Sequence, residues 1–464
     1  MCKRIFIFFL LCPLVSFSSW RDAEKTYDSR LSNSELRNIV IELVKDNYVF
    51  SALPWMKEYL IKDTKQLDRR IDSALSHMIS VAGTKQFETL PLRFLKRSKS
   101  DNMRFIIAKK YLRDNDYSRA LNYLENISSS HEVFPYAVHM QATIYTIIGD
   151  TKKADKLFDR CRTASESQIS RDKKSRKLKM NRDYCMAGKA RAEFKDRNFD
   201  KSDLLYLDIP KSSPVWPEIL FEEAWNSYYQ KNYNRALGKL VSYKAPVFNH
   251  MFNPEIDVLR ALSYMKLCLY SDAKSVVQEF YDKYYNDAKS LRLYLLRHKR
   301  EINHFYNSMM NYESRSKSEN SLHALMLKSV LNEEAFIDLK RQFVSASKEY
   351  DRLRQRPNSR FKRATILNLQ EAIVTQKRIL GAFVKQRLLY HYATLSKAFE
   401  GMSYINLEVL SQRKAKLYSF DENNRSRGDI KYIERNEKQY FWDFNGEFWA
   451  DELGDYVFAL RSEC

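Results

Sequence analysis

Two cysteines, Cys161 and Cys185, bracket the most highly charged stretch of this chain. Between them runs Arg171-Asp-Lys-Lys-Ser-Arg-Lys-Leu-Lys-Met-Asn-Arg182, seven cations and one acid in twelve residues. Lys173, Lys174, Arg176, Lys177 and Lys179 could contact an anionic surface, or they could border a solvated loop. A disulfide between Cys161 and Cys185 would restrict that loop. The spacing of Cys161, Cys185, Cys268 and Cys464 fits no zinc motif. Asp443, Glu447, Asp451 and Glu452 crowd near the C-terminus. Paired carboxylates can cleave glycosides, although a cluster like this on a tail is ordinarily a solvated surface. His298 and His304 stand six apart, which on one continuous helix puts them on different faces, and His391 stands alone. There is no His-Glu-x-x-His, no Gly-rich phosphate loop and no Gly-x-Ser-x-Gly elbow. The expectation is a protein that is not an enzyme and needs no cofactor or metal.

The elements that carry these residues are helical. Only 9 Gly and 10 Pro punctuate 464 residues, so turns are scarce. The 30 Tyr and 27 Phe suit helix–helix contacts. Residues 1–18 read as a secretory signal: Lys3 and Arg4, then an apolar run from Ile5 to Val15, then Ser16 and Ser18 before a cut near Ser18. The rival reading is a lipoprotein cut before Cys12, but Leu11 is larger than such a signal accepts. Export would leave Cys161, Cys185, Cys268 and Cys464 where disulfides persist. Removing Lys3 and Arg4 would lower the net charge from +21 to +19 (21 − 2). For an exported chain, that excess points to an acidic protein, a cell-wall polymer or an anionic lipid rather than nucleic acid.

A repeat runs through the middle. Ala108/Ala120, Ala142/Ala154, Ala190/Ser202, Ala224/Ala236 and Ala261/Ala273 are small residues paired twelve apart. Their second members follow one another by 34, 48, 34 and 37 residues. Close crossing of two helices needs such small side chains, and large ones then fill the flanks. Asn115-Asp116, Gly149-Asp150, Arg197-Asn198 and Lys231-Asn232 mark the turn between helices. Residues 101–286 therefore resemble five tetratricopeptide repeats, whose period is 34. The clearest is Phe221-Glu-Glu-Ala-Trp-Asn-Ser-Tyr-Tyr-Gln-Lys-Asn-Tyr-Asn-Arg-Ala236. The third carries a basic insert at 164–183, and Ala74 with Gly83 suggests a worn repeat upstream in 19–100.

The resemblance implies a groove lined by the first helix of each repeat. It assigns ligand-facing positions to Phe105, Lys109 and Arg113, then Tyr136 and His139, then Arg191 and Lys195, then Trp225 and Tyr229. Rings and cations of this kind anchor proteins or peptides. Beyond the repeats, residues 287–420 show heptads: Leu322, Phe336, Phe343 and Tyr350 in one position, with Leu325, Leu339, Ala346 and Leu353 in another. A second run has Ile366, Ile373 and Leu380 with Leu369, Phe383 and Tyr390. Arg356-Pro357-Asn358-Ser359 divides the two runs, which predicts an antiparallel coiled-coil hairpin or a homodimer seam. Residues 421–464 form a polar linker and an aromatic tail. The tail, Tyr440 to Tyr456, resembles the closing segment of envelope tetratricopeptide proteins from gliding and predatory bacteria.

The sequence thus predicts an all-α fold: a tetratricopeptide-type α-solenoid, a long coiled-coil-like hairpin and a short aromatic tail. It suggests a periplasmic or outer-membrane-associated scaffold holding an envelope protein or peptide, with motility as one setting. The alternative is a module that binds cell-wall polymer or anionic lipid. A cell-wall glycan hydrolase is a distant third.

Overall fold

The computed structural model describes residues 17–28, 30–314, 321–417, 437, 441, 444 and 446–464. Among them every regular element is helical. The first six helices are α1 (Phe17–Thr26), α2 (Asn33–Lys45), α3 (Val49–Lys62), α4 (Arg69–Ala82) and the single turns α5 (Lys85–Glu88) and α6 (Leu92–Leu95). Five hairpins follow: α7 (Asp101–Arg113) with α8 (Tyr117–Glu125), α9 (Phe134–Ile148) with α10 (Thr151–Ile169), α11 (Arg176–Lys195) with α12 (Phe199–Leu207), α13 (Trp216–Tyr229) with α14 (Tyr233–Val241), and α15 (Glu255–Lys266) with α16 (Tyr270–Arg297). Then come α17 (Ile302–Ser314), α18 (Leu322–Leu331), α19 (Glu334–Arg354) and α20 (Arg360–Leu417). The chain divides into two compact units, 1–133 with 338–379, and 134–337 with 380–464. The division falls inside the expected array, after its first repeat.

The small residues explain the hairpins. All ten members of the five pairs are fully buried, from Ala108 and Ala120 to Ala261 and Ala273. The turns share one geometry. Asn115, Gly149, Arg197, Lys231 and Cys268 each take a left-handed φ, between 58° and 88°. The next residue then starts the second helix: the side chains of Asp116, Asp150 and Asn232 accept from backbone N–H groups three residues on, each at 3.1 Å. Asn198 does not cap, because its amide donates to Glu193 instead at 2.9 Å.

In the first unit, α3 lacks a capping side chain of its own. Glu349 of α19 supplies one, accepting from the backbone of Phe50 at 3.0 Å and Ser51 at 2.7 Å and from the Ser51 hydroxyl at 2.6 Å. Burial holds the Glu349 carboxyl above its ordinary pKa against these bonds. Trp20 of α1 is buried between Tyr48 and Phe361, with ring centroids 5.3 and 4.7 Å away. Residues 1–16, most of the expected signal, lie outside the described residues.

Two further expectations change. The basic insert is not an extended loop: it lengthens α10 to 19 residues and α11 to 20, leaving only 170–175 between them. The two long helices expected after residue 320 are present, but their seam differs. Along α20 the buried positions 369, 372, 376, 380, 384, 388, 391, 395, 398, 402, 405 and 409, among them Leu369, Leu380, Val384, Leu388, Leu395, Met402 and Val409, form one stripe in mixed steps of three and four. Ile366, Ile373 and Phe383 are half-buried, and Tyr390 is exposed. A strict heptad drifts around a straight helix, so a 58-residue helix cannot keep it on one face. Phe252 packs edge-on to His391 at 5.3 Å, and Phe280 to Phe399 at 4.9 Å. The stripe is therefore covered within one chain.

The tail is a strap without regular structure. Leu453 joins Trp216, Leu220, Ala245 and Phe248 in one core cluster. Phe458 N–H donates to Asn234 O at 3.2 Å, the Asn234 amide to Leu460 O at 3.0 Å, and Glu463 N–H to Leu267 O at 2.9 Å. Cys464 is disulfide-bonded to Cys268, the residue at the left-handed turn of the fifth hairpin. The polar stretch 421–429 and Asp443 lie outside the described residues.

Candidate binding surface

The positions expected to face a ligand fall in both units, and each unit treats them differently. In the first, Phe105 is half-buried and Arg113 exposed on α7. Lys109 is committed internally: its ammonium meets Glu88 at 2.5 Å and Thr84 at 3.2 Å. Burial alone would raise the Glu88 pKa, but Lys109 and Lys85 overrule it and hold it down at about 2.

In the second unit the expected anchors lie on α9, α11 and α13. Tyr136 is half-buried. His139 sits among Phe158 and Tyr184 with Nδ1 3.0 Å from Asn181 Oδ1, and burial lowers its pKa. Asn181 also donates to Ser165 at 3.1 Å and approaches the sulfurs of Cys161 and Cys185. Those cysteines are disulfide-bonded, with Cα atoms 6.0 Å apart. Arg191, expected as a clamp for a partner's carboxylate, already holds two of its own. Its Nε is 2.8 Å from Glu222 Oε2, and its Nη2 is 2.6 Å from Glu222 Oε1 and 2.9 Å from Glu218 Oε1. Burial opposes the charge, yet Glu222 and Glu218 keep the Arg191 pKa above its ordinary value. Tyr206 donates to Glu222 at 2.8 Å, and Tyr184 to Glu218 at 3.1 Å. Lys195 is exposed and donates to Thr146 O at 3.0 Å.

What remains open is aromatic. Tyr229 at the end of α13 is 51% exposed. It stacks on Phe199 at 5.5 Å, meets Phe194 edge-on at 5.5 Å and lies 5.9 Å from Trp225. Trp225 is half-buried and continues the rings to Tyr228, which meets Tyr233 at 5.4 Å. A depression of about 620 Å³ lies beside them, lined by Arg197, Asn198, Phe199, Asp200, Lys201 and Gln230. Rings at the turn ends of two hairpins, rimmed by cations and acids, can hold a side chain or a turn of peptide. The sequence singled out Trp225 and Tyr229 as groove positions. It did not single out Phe194, Phe199, Glu222 or Tyr206 there. One signal could have found Glu222: it lies 31 residues after Arg191, close to one repeat, so the two sit on the first helices of successive hairpins.

Around the basic turn Lys173, Lys174 and Lys179 are exposed. Arg176 pairs with Glu334 at 2.8 Å, and Lys177 is exposed beside it. The tail acids Glu447 and Asp451 are exposed, and Lys211 pairs with Asp455 at 2.7 Å. No described helix is long and apolar enough to cross a membrane.

These features define an all-α array of helical hairpins with tetratricopeptide spacing. No protein-family model and no curated protein matches the chain. Among solved structures, it is similar to a tetratricopeptide repeat protein from Parabacteroides merdae (14% identity, 54% of this chain and 92% of that one, TM-score 0.33). It is also similar to the Rap conjugation gene regulator of plasmid pLS20, solved in complex with the Phr* peptide (12% identity, 75% and 96%, TM-score 0.29). A third is a circular tandem repeat protein with novel repeat topology (14% identity, 86% and 90%, TM-score 0.15). At these scores the likenesses say nothing about partners, and none supports the resemblance of the tail to envelope proteins.

Proposed function

We propose that the chain is an exported scaffold that holds an envelope protein or peptide on the rings around Trp225 and Tyr229. The observation that carries this is the exposure of Tyr229 at the edge of a continuous ring cluster, whereas Arg191 and Lys109 are consumed by internal acids. An exposed aromatic backed by packed rings loses little side-chain freedom on binding, which favours it as an anchor. Export is supported by the four cysteines beyond the leader, which form two disulfides, and by Trp20, which packs just after the proposed cut. The test is crosslinking and affinity purification from the native envelope with wild type and Tyr229→Ala. A partner enriched by wild type and lost by Tyr229→Ala supports the reading; identical partner sets sink it. N-terminal sequencing of the mature protein tests export, with Ser19 as the expected first residue.

A second reading rests on Lys173, Lys174 and Lys179, exposed around one turn. They would hold an anionic lipid or cell-wall polymer, and salt would weaken that binding steeply. Vesicles containing anionic lipid that retain a variant with all three lysines changed to Glu as well as wild type would dismiss it.

A further inference from the structure

The chain breaks its helical path between α16 and α17, and the break brings three ligating side chains together. His298 caps α16, Glu301 lies in the connection, and His304 is in the first turn of α17. The backbone is pinned there: Glu301 N–H donates to His298 O at 2.9 Å, and His304 N–H to Glu301 O at 3.0 Å. The two imidazoles are parallel within 3° with centroids 3.5 Å apart. Glu301 Oε2 lies 3.0 Å from His298 Nδ1. One donor atom from each residue lies within 4.8 Å of the other two.

We propose that His298, Glu301 and His304 form a binding site for a divalent transition-metal ion of the zinc class. Two imidazoles and one carboxylate are the borderline donor set that suits zinc, copper or nickel, whereas calcium and magnesium prefer oxygen alone. Three protein ligands leave a fourth position open to water or to a partner's side chain. A tetrahedral ion with bonds of about 2.1 Å needs its ligands roughly 3.4 Å apart, so the donors must draw in slightly and the rings must splay. Glu301 is 58% exposed on its side chain and can rotate to allow this. His304 Nε2 lies 3.1 Å from the Tyr294 hydroxyl, a contact that orients the ring and leaves its other nitrogen for the ion. The ion would tie the end of α16 to the start of α17.

The test is calorimetric titration of the full chain, disulfides intact and no free thiol detectable, with zinc chloride. Cobalt binding, followed by its visible d–d absorption, reads the ligand set independently. One ion per chain is expected. His298→Ala and His304→Ala should each weaken it by roughly a hundredfold or more, since each removes a direct ligand and disturbing only a ligand's outer partner already costs about tenfold to hundredfold. Glu301→Gln, an exposed change that spares the packing, should weaken it while leaving the helical circular dichroism unchanged. Absence of binding at millimolar zinc would overturn the site. So would binding that survives both histidine substitutions, because the ion would then lie elsewhere, as beside His139.

Discussion

The two ends of α13 carry the same kind of residue and finish it differently. At the N-terminal end, Trp216 and Leu220 are buried, and Leu453 and Gly454 of the strap lie on them. At the C-terminal end, Trp225 is half-buried and Tyr229 stands half in water, with side chains of α11 and α12 beside it but, among the described residues, no segment of the strap across it. Apolar side chains alone thus do not mark a binding site. What separates the two ends is whether the chain supplies its own cover. The strap makes the first end core, and the second is the end we propose as the docking surface.

The strongest way to break this comparison is to unfasten the strap. Cys268–Cys464 closes a loop of 196 residues, and in the chain-entropy view a loop of that length stabilises by about 5 kcal/mol. The double variant Cys268→Ser/Cys464→Ser should lower the unfolding temperature and let protease nick residues 446–464 before the helices. An unchanged nicking pattern would mean the strap is held without its bond.

A subtler break attacks the strap from underneath. Gly238 of α14 lies so close that an added Cβ would collide with the backbone carbonyl of Tyr456. In an exposed helix, Gly→Ala stabilises by about 1 kcal/mol. Here Gly238→Ala should cost about 3 kcal/mol, at the upper end of ordinary overpacking, because the neighbour is backbone and cannot turn away. The sign is the test. A stabilised Gly238→Ala, measured by thermal unfolding, would show that the strap does not rest on α14.

How much of this contrast could be read in the sequence? The hairpins could, because Ala and Ser at twelve-residue spacing are a steric requirement local to each repeat, and all ten are buried. The turns were legible through Asn115 and Gly149, which suit the left-handed position, and through the capping residues Asp116, Asp150 and Asn232; Arg197, Lys231 and Cys268 take the same left-handed conformation without that signal. The strap's path was not legible: Gly238 and Tyr456 are more than 200 residues apart, and no periodicity links them. Arg191 misled for a related reason. Its charge and position were visible, but the acids that consume it are on the next hairpin. Comparable polar pairs recur at close to one repeat, Arg37 with Asp68 and Arg235 with Asp203 among them, so the array uses that spacing to join its own layers. The His298–His304 pair was lost because six residues were counted along one helix, whereas the helix breaks between them.

The acids beneath the open end allow a finer test. Tyr206 is 2% exposed and gives its hydroxyl proton to Glu222. Tyr206→Phe keeps the ring and removes one bond to a charged acceptor, which should cost about 1.5 kcal/mol. Arg191 remains on Glu222, so the rings above should stay in place and partner capture should be unchanged. Lost capture with an intact fold would show that the network helps shape the surface as well as supporting it.

The smallest effect on folding belongs to the residue on which most of the functional reading depends. Tyr229→Ala removes a ring that is half solvent-exposed but packed on Phe199 and Phe194, and stability should fall by only about 1 kcal/mol. If the open end is a docking surface, the same change should cost about 2 kcal/mol in partner affinity, because an anchor's value comes from the water it loses on binding. The ratio of the two effects is what separates the ends of α13. Trp216→Ala should do the reverse, with a large loss of stability from an emptied core and no effect on binding beyond that. If Tyr229→Ala lowered the unfolding temperature as Trp216→Ala does, the open end would be ordinary core with a wet edge, and a binding site would have to be sought elsewhere on the array.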